Sequence, residues 1–287
     1  MYVKKLLFIP IVLIQTIFYA AVNDPIPTDY EAVPVGRTVM SVNYLTKELH
    51  SKAFGSDDNY IKQSTYALRY THGFNLGGKT IGLGFAIPYT YLETQGSDLF
   101  TNALGDKTNG LSDIVMSATY WYINDKKNRD YLASTITLAL ENGEYDKSNP
   151  NKLNPGENRY KATFAIGYIT KLSNDFIIEL VPEVGVYSEN KTTQTKQNPS
   201  YALSSSLRYK PNSKYELFLG AQENYQGNTT KQGISQNNEE SYEKYSLGAI
   251  YYTDKFNQWM IRAATETNKE FGTKTNDELL LRYRWWF

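Results

Sequence analysis

The sequence predicts an all-β protein, a transmembrane antiparallel β-barrel of about twelve strands with short periplasmic turns and long extracellular loops. Three observations predict it: large apolar residues alternate with small or polar ones, the connections alternate in length, and the chain ends on the aromatic stretch LLLRYRWWF. Successive side chains of a strand point to opposite faces. Outer-membrane barrels combine this alternation with short turns at one end and long loops at the other.

The first twenty residues have the layout of a secretory signal peptide. Two lysines precede an apolar run of 13 residues, from Leu6 to Phe18, and the small pair Ala20 and Ala21 follows. A membrane-spanning helix needs roughly 20 apolar residues, so the run is too short for an anchor. We predict that residues 1–20 are removed after export.

Charge and cysteine content exclude several classes of protein. The chain has 30 basic and 30 acidic residues, and removal of residues 1–20 leaves 28 and 30, so nothing indicates nucleic acid as a partner. No cysteine is present, so no disulfide holds the fold together. With only His50 and His72 as histidines, neither a metal site nor another cofactor is indicated.

Segments with the alternation of strands recur from Arg37 onward. Between residues 80 and 91, large apolar side chains at odd positions alternate with small or polar ones at even positions, and the pattern returns in 114–122, 160–168 and 201–209. Pro88 and Pro182 are expected to interrupt their ladders and mark bulges or bends. Strands are predicted to begin near residues 37, 61, 79, 111, 131, 159, 175, 199, 215, 241, 258 and 277.

Periodicity alone does not say which face points outward, because a soluble barrel alternates in the same way. The second face of these strands is rich in Gly, Ser, Thr and Ala and poor in charge. Such a face suits a lumen better than a soluble exterior, which usually carries many charges. Tyrosines near the strand ends fit the aromatic girdles of a membrane barrel.

The last strand explains the aromatic ending. Leu281 and its odd-numbered neighbours are predicted to face lipid, whereas Arg282 and Arg284 face the lumen. The ending resembles the C-terminal assembly signal of bacterial outer-membrane proteins, so the barrel-assembly machinery is a predicted partner. The residues predicted to form this membrane-assembly signal are Tyr283, Trp285 and Phe287.

The chain divides into the signal peptide, an arm over residues 21–36 and a barrel over residues 37–287. The arm, AVNDPIPTDYEAVPVG, holds three prolines and shows no alternation. It is expected either to insert into the lumen as a plug or to form a loose periplasmic leader, and the leader is slightly favoured. Even a short insert is long enough to close a twelve-stranded barrel.

Between residues 81 and 187 the chain resembles the outer-membrane proteins grouped as the transporter-like family of the meta pathway of phenol degradation. The matching stretches are IGLGFAIPYTY, NGLSDIVMSATYWY, LALENGEYD and YKATFAIGYITKLSNDFIIELVPEVGVY. The resemblance implies passage of small, often hydrophobic compounds across the outer membrane of a Gram-negative bacterium.

Alternation places a set of charged side chains in the predicted lumen, where inward charge selects solutes in a pore. The equally weighted alternative is that opposite charges on neighbouring strands neutralise each other and hold the wall. Asp113 lies near the extracellular mouth, where capping of loop amides is the favoured alternative. The lumen-facing selectivity candidates are Arg69, Asp113, Lys161, Glu179, Glu183, Arg208, Arg262, Arg282 and Arg284.

We therefore predict a channel, not an enzyme, for passive passage of small hydrophobic or amphipathic molecules through the outer membrane. Its partners would be outer-membrane lipid and a small-molecule solute. One alternative is a structural or adhesive barrel that displays loops such as ENKTTQTKQNP and QGNTTKQGISQNNEE. A less favoured one is a barrel lipid hydrolase that uses His72 with a serine on an adjacent strand.

Overall fold

The computed structural model describes residues 25–51, 58–255, 257–269 and 271–287. The predicted signal peptide, residues 1–20, lies outside the described residues. In chain order the elements are β1 (Thr38–Ser51), β2 (Tyr60–Leu76), β3 (Lys79–Gln95), α1 (Asp98–Leu104), β4 (Lys107–Leu111), β5 (Val115–Asp125), β6 (Asp130–Ala139), β7 (Lys161–Lys171), β8 (Phe176–Tyr187), β9 (Thr195–Gln197), β10 (Ser200–Tyr209), β11 (Tyr215–Gln226), β12 (Thr229–Lys231), β13 (Ile234–Ser235), β14 (Glu240–Tyr252), β15 (Gln258–Thr267) and β16 (Thr273–Trp286).

Within the described residues, twelve wall strands close into one antiparallel barrel. Wall strands that follow one another in sequence pair all the way round, β4 and β5 together form one wall strand beside β3, and β16 pairs with β1. Thr38 and Phe287 exchange two backbone hydrogen bonds of 2.9 and 3.0 Å at the end of the chain. Because a closed sheet has no free edge, it satisfies its backbone polar groups inside a bilayer. The predicted barrel is confirmed.

The predicted starts of the wall strands lie within four residues of the observed ones when β5 stands for the fourth. That strand is divided opposite Pro88, which has no N–H group to donate. Tyr89 pairs with Leu111, whereas Ala86 pairs with Val115, a change of one residue in register. The predicted interruption at Pro88 is therefore present between β3 and its neighbour.

The other irregularities are placed less well by the sequence. Pro182 interrupts the β7–β8 ladder, but the register is the same on both sides of it. Register shifts occur instead between Glu48 and Leu49 and between Trp121 and Ile123, where no proline or glycine signals them. At these two points the alternation of faces is offset.

The two ends of the barrel differ as predicted. At one end, short turns join the wall strands, and the first residue of β1 and the last residue of β16 lie there. The tightest turn uses Gly77 and Gly78 with φ of 57° and 80°, conformations that glycine adopts without steric cost, and Asn75 Oδ1 accepts from Gly78 N at 3.0 Å. Long loops cover the other end, so the short end is periplasmic by the rule for outer-membrane barrels.

The large apolar side chains point outward and the small and charged ones inward. Leu219, Leu247 and Ile136 are 63%, 61% and 58% exposed, whereas Arg208 and Arg282 are fully buried in the lumen. A soluble protein rarely exposes so continuous an apolar belt. The belt is the lipid-facing surface, which answers the question that periodicity leaves open.

The extracellular end carries its own small core. Helix α1 begins after Ser97, whose Oγ accepts from Phe100 N at 3.3 Å, and it buries Phe100 and Leu104. These two side chains pack with inward-facing residues of β1, β2 and β3 and with Leu153. Strands β9, β12 and β13 form a separate small sheet in the loops. Across the described part of the chain, helices long and apolar enough to span a membrane are absent.

Replacing Ile136 with arginine tests the assignment of faces. An arginine on the lipid face near mid-membrane costs about 2–4 kcal/mol of folding free energy, and urea unfolding in lipid vesicles measures it. Thr137→Arg is the matched control, because Thr137 is the next residue and lines a lumen cavity of about 320 Å³. Equal losses for the two variants would contradict the orientation.

Candidate functional site

The N-terminal arm, residues 25–37 in the structure, runs inside the barrel before β1 begins. Asp29 N donates to Ile26 O at 3.1 Å and Glu31 N to Thr28 O at 3.2 Å, which folds the arm into two consecutive turns. Thr28 is fully buried. The sequence slightly favoured a loose periplasmic leader, whereas the described part of the arm lies against the inner wall.

The Tyr30 ring of the arm occupies a space on the inner wall that glycine and alanine residues leave open. A Cβ atom on Gly167 would overlap the ring, so any larger residue there would displace it. Ala133 and Ala165 belong to the same buried cluster, and Trp121 Nε1 donates to the Tyr30 carbonyl oxygen at 2.9 Å. Small residues on β6 and β7 thus leave the space that the arm fills.

Asp29 anchors the arm to one side of the lumen through two arginines, one on β2 and one on β16. Arg282 Nη1 donates to Asp29 Oδ1 at 2.6 Å, and Arg69 Nη1 donates to Asp29 Oδ2 at 3.1 Å. Arg282 Nη2 also donates to the Pro27 carbonyl oxygen and to Thr28 Oγ1 at 3.1 and 3.2 Å. Burial alone would raise the pKa of the Asp29 carboxyl, but the surrounding guanidinium groups, Arg69 first, lower that pKa to about 2.

Glu31 makes a second anchor on the opposite wall. Arg208 Nη2 donates to Glu31 Oε1 at 2.7 Å, and Arg208 also pairs with Glu216 and lies 3.7 Å from Glu179 Oε2. Thr28 N donates to that same Glu179 oxygen at 3.2 Å. Burial would raise the pKa of the Glu31 carboxyl, but the Arg208 guanidinium above all lowers that pKa to about 2.

The Asp29 and Glu31 carboxyl groups, whose pKa values are lowered, stabilise the docked arm at neutral pH. Each contributes on the order of 2–3 kcal/mol if the released arm has ordinary carboxyl pKa values. The contribution is complete above those ordinary values and disappears as the pH falls through them toward about 2. The arm is therefore an acid-sensitive element at its two charged anchors.

Five of the predicted selectivity residues converge on the arm or on its partners. Arg284 completes this group, since its Nη1 donates to the Thr28 carbonyl oxygen at 3.4 Å and its Nη2 to Gln258 Oε1 at 3.0 Å. The position of these five residues beside the arm does not test whether they select solutes, and that role stays a prediction. The five are Arg69, Glu179, Arg208, Arg282 and Arg284.

The remaining candidates on the inner wall have other partners or line cavities beside the arm. Arg262 Nη2 donates to Glu278 Oε1 at 2.5 Å, and Lys244 Nζ donates to the other oxygen of Glu278 at 2.8 Å. Lys161 Nζ is 5.9 Å from the centre of the Tyr187 ring. Glu183 is buried and lines the cavity of about 320 Å³ beside the arm.

Asp113 lies in the gap between β4 and β5 and holds loop backbone. Its two carboxylate oxygens accept from Gly143 N and Glu157 N, both at 2.8 Å. Burial raises its pKa, although these two hydrogen bonds oppose the shift. The contacts are those of the loop-capping alternative.

Sequence reasoning named Glu179 as a partner of Arg208 but missed two other acidic partners of the wall arginines, Glu216 and Glu278. Glu278 has the same parity as Arg282, so alternation in β16 alone was enough to place it inward. Glu216 occupies the second position of β11, where the segment begins and parity is least secure. Both are buried against arginine, and they show that much of the inward charge is paired within the wall.

The terminal aromatic residues and His72 lie toward the membrane. Rings of Tyr283 and Trp285 stack with centroids 5.6 Å apart, and Phe287 is 57% exposed.

His72 pairs across the sheet with Thr38 and Leu83 instead of a serine, and its Nδ1 lies 2.8 Å from Thr38 Oγ1. The serine arrangement that the hydrolase alternative requires is therefore not formed on the strands beside His72.

Comparison with known proteins places this barrel in a family. Residues 46–276 match the family model described as "Putative MetA-pathway of phenol degradation". The chain belongs to this family. Its fold is similar to the crystal structure of an outer membrane channel from Pseudomonas putida F1, with 25% sequence identity, a TM-score of 0.82, and coverage of 92% of this chain and 100% of that one.

More distant barrels share the fold alone. The β domain of the Bordetella autotransporter BrkA has 14% identity and a TM-score of 0.53, with coverage of 86% of this chain and 98% of that one. The translocator domain of the autotransporter NalP from Neisseria meningitidis has 11% identity and a TM-score of 0.54, with coverage of 89% and 90%. Among curated proteins, none matches the chain significantly. This member of the phenol-degradation family is an outer-membrane channel protein.

Arg282→Gln is expected to loosen the arm. Loss of one partner of a buried ion pair costs about 3–5 kcal/mol, so the arm should leave the lumen more often. A single cysteine at Ala32, which is 4% exposed, reports release by its rate of labelling with a polymer-linked maleimide, since the chain has no other cysteine. We expect labelling at least about tenfold faster in the Arg282→Gln background.

Arg159→Gln is the matched control for that experiment. It removes a buried arginine whose guanidinium bonds Glu157 and Gln197 beside the extracellular loops. Its labelling rate should stay within about twofold of the parent. Equal rates in the two arginine variants would contradict the anchoring role of Arg282.

Conductance in planar bilayers should rise as the pH falls from about 5 to about 2, because the Asp29 and Glu31 carboxylates take up protons and release their arginines. A variant with Asp29→Asn and Glu31→Gln should conduct more at pH 7 and lose most of this dependence. An unchanged pH profile in the double variant would rule out these two groups as the cause.

Proposed function

We propose that this family member is a passive channel for small hydrophobic or amphipathic molecules and that the N-terminal arm is its gate. The observation that carries the proposal is the place of the arm, which fills the lumen while most of its anchors are side-chain contacts. Such contacts break without disturbing the closed ladder of the wall. A gate of this kind shifts between docked and released states.

The surfaces beside the arm favour solutes with an apolar part. The cavity of about 320 Å³ between the arm and the wall is lined by Val39, Val115 and Trp121, by hydroxyl groups such as those of Thr119 and Thr135, and by charged side chains of the arm and of its arginine anchors. Small-molecule sites combine a mainly apolar lining with a few polar groups. The mixture suits a small amphipathic molecule better than a large hydrated sugar.

Assembly through the C-terminal strand stays a prediction of the sequence. Tyr283 and Trp285 lie on the outer face with Phe287 at the end, which suits an interaction made before the barrel closes. In the closed barrel, Phe287 pairs with Thr38 through two backbone hydrogen bonds.

Uptake into cells that express the protein tests the proposal. We expect faster accumulation of an aromatic hydrocarbon and a fatty acid than in cells without it, with little change for a sugar. Deletion of residues 25–36 should raise the uptake of all three solutes, because the gate is gone. The measurement is initial uptake of radiolabelled solute at equal amounts of folded barrel.

Deletion of residues 229–236 is the matched control, because it removes β12 and β13 from an extracellular loop and leaves the wall strands unchanged. Uptake should survive this change. Failure of the intact and arm-deleted proteins to raise uptake would contradict the proposal. Loss of surface binding in the loop variant, with no flux in either protein, would favour the display alternative.

A further inference from the structure

A basic cavity lies at the periplasmic end of the barrel, below the arm. We name this cavity of about 470 Å³ the periplasmic vestibule; the arm, the β5–β6 turn, the β10–β11 and β14–β15 connections and the end of β16 enclose it. Glu31 is the acidic residue of its described lining. The basic residues of the same described lining are Arg37, Lys126, Arg129, Lys210, Lys255 and Arg284.

The acid groups nearest the vestibule are already paired with arginine or lysine, and one of these cations, Lys210, belongs to the vestibule itself. Glu31 accepts from Arg208 at 2.7 Å, and Glu216 accepts from both Arg208 and Lys210, the latter at 3.2 Å. The exposed Asp125 accepts from the backbone of its own turn. The vestibule therefore keeps a surplus of positive charge, which concentrates small anions in a concave site with protein walls.

Arg129 supports a role beyond turn formation. Its backbone has φ of 54°, a left-handed conformation in which glycine or asparagine is the ordinary residue. An arginine there accepts a small backbone cost. Its side chain then lines the vestibule together with Lys126 of the same turn.

Aromatic rings form the rest of the vestibule wall. Lys210 Nζ lies 3.8 Å from the centre of the Tyr252 ring, and the Arg284 guanidinium lies 5.8 Å from that of Trp286. Tyr131 is also part of the lining. Cations that lie over rings place a positive charge and an apolar surface side by side. A volume of this size falls in the range of small-molecule sites, roughly 300–1,000 Å³.

We propose that the periplasmic vestibule is a binding site for small amphipathic carboxylates. The carboxylate lies among the basic side chains, where charge-assisted hydrogen bonds hold it, and the apolar body lies on Tyr252 and Trp286. That such a ligand is also a transported solute rests on the proposed function. Binding itself rests on the vestibule alone.

Titration calorimetry of the full chain in nonionic detergent tests the site with benzoate and its neutral isostere benzamide. We expect saturable binding of one benzoate, at least about tenfold tighter than benzamide, as one charge-assisted interaction requires. Acetate, which lacks the ring, should bind more weakly than benzoate. Absence of benzoate binding, or an affinity for benzoate no greater than that for benzamide or for acetate, would overturn the proposal.

A triple variant locates the site. Lys126→Gln, Arg129→Gln and Lys255→Gln together should weaken benzoate binding at least about tenfold. Lys79→Gln, Lys171→Gln and Lys214→Gln remove the same charge from turns at the same end of the barrel, outside the vestibule, and should leave affinity within about twofold. Equal losses in the two triple variants would show general attraction of anions and overturn the assignment.

A lipid headgroup offers anionic chemistry as well, so the titration is repeated in nanodiscs with and without phosphatidylglycerol. Unchanged benzoate affinity supports a site for free solutes, whereas competition by the lipid overturns it. Flux is measured separately on the vestibule variant. If the unmutated protein does not bind benzoate but still raises solute uptake, only the vestibule proposal is refuted. If it binds benzoate but does not raise uptake, only the channel proposal is refuted.

Discussion

Closure of the backbone ladder is the constraint on which the rest of this structure depends. A bilayer offers no partner to an unpaired N–H or C=O group, so β16 must return to β1. Thr38 and Phe287 complete it with two backbone hydrogen bonds. Once the wall is closed, strict alternation sends every second side chain to lipid and the others to a lumen of fixed width. The residues at the inward positions then determine the charge of the lumen.

The inward charge explains why the arm lies where it does. Arg69, Arg208, Arg282 and Arg284 face one region of the lumen, and burial of a guanidinium without a counter-charge is expensive. Wall acids such as Glu216 compensate part of this charge. The arm supplies further carboxylates at Asp29 and Glu31, one on each side of Tyr30. The arm is thus a counter-ion for the wall as well as an obstruction in it.

The sequence predicted the wall well because alternation, turn length and the terminal aromatic residues all depend on one local rule, the two-residue period of a strand. It predicted the arm but slightly favoured the periplasm over the lumen as its place, since the arm has no period and its place is set by contacts with residues far away in sequence. Two signals for it were nonetheless present. Gly167 and Ala165 leave an empty patch on β7, and Ile169 and Val181 bring apolar side chains to the inward face, which a water-filled lumen does not need. The bulge near Trp121 had no local signal, because packing in three dimensions decides it.

The same pairing of arm and wall limits what an open state can be. Departure of the arm removes Asp29 and Glu31 from a region that keeps four arginines, so the emptied lumen carries more positive charge than the docked one. Water and mobile anions must enter to solvate those guanidinium groups, because lipid cannot. The vestibule adds basic side chains below that region. Opening therefore changes the lumen in two ways at once: it widens the path, and it makes the path attractive to the anionic end of an amphipathic molecule. A neutral solute gains only the first of these changes, so a gate of the kind proposed above would prefer anions.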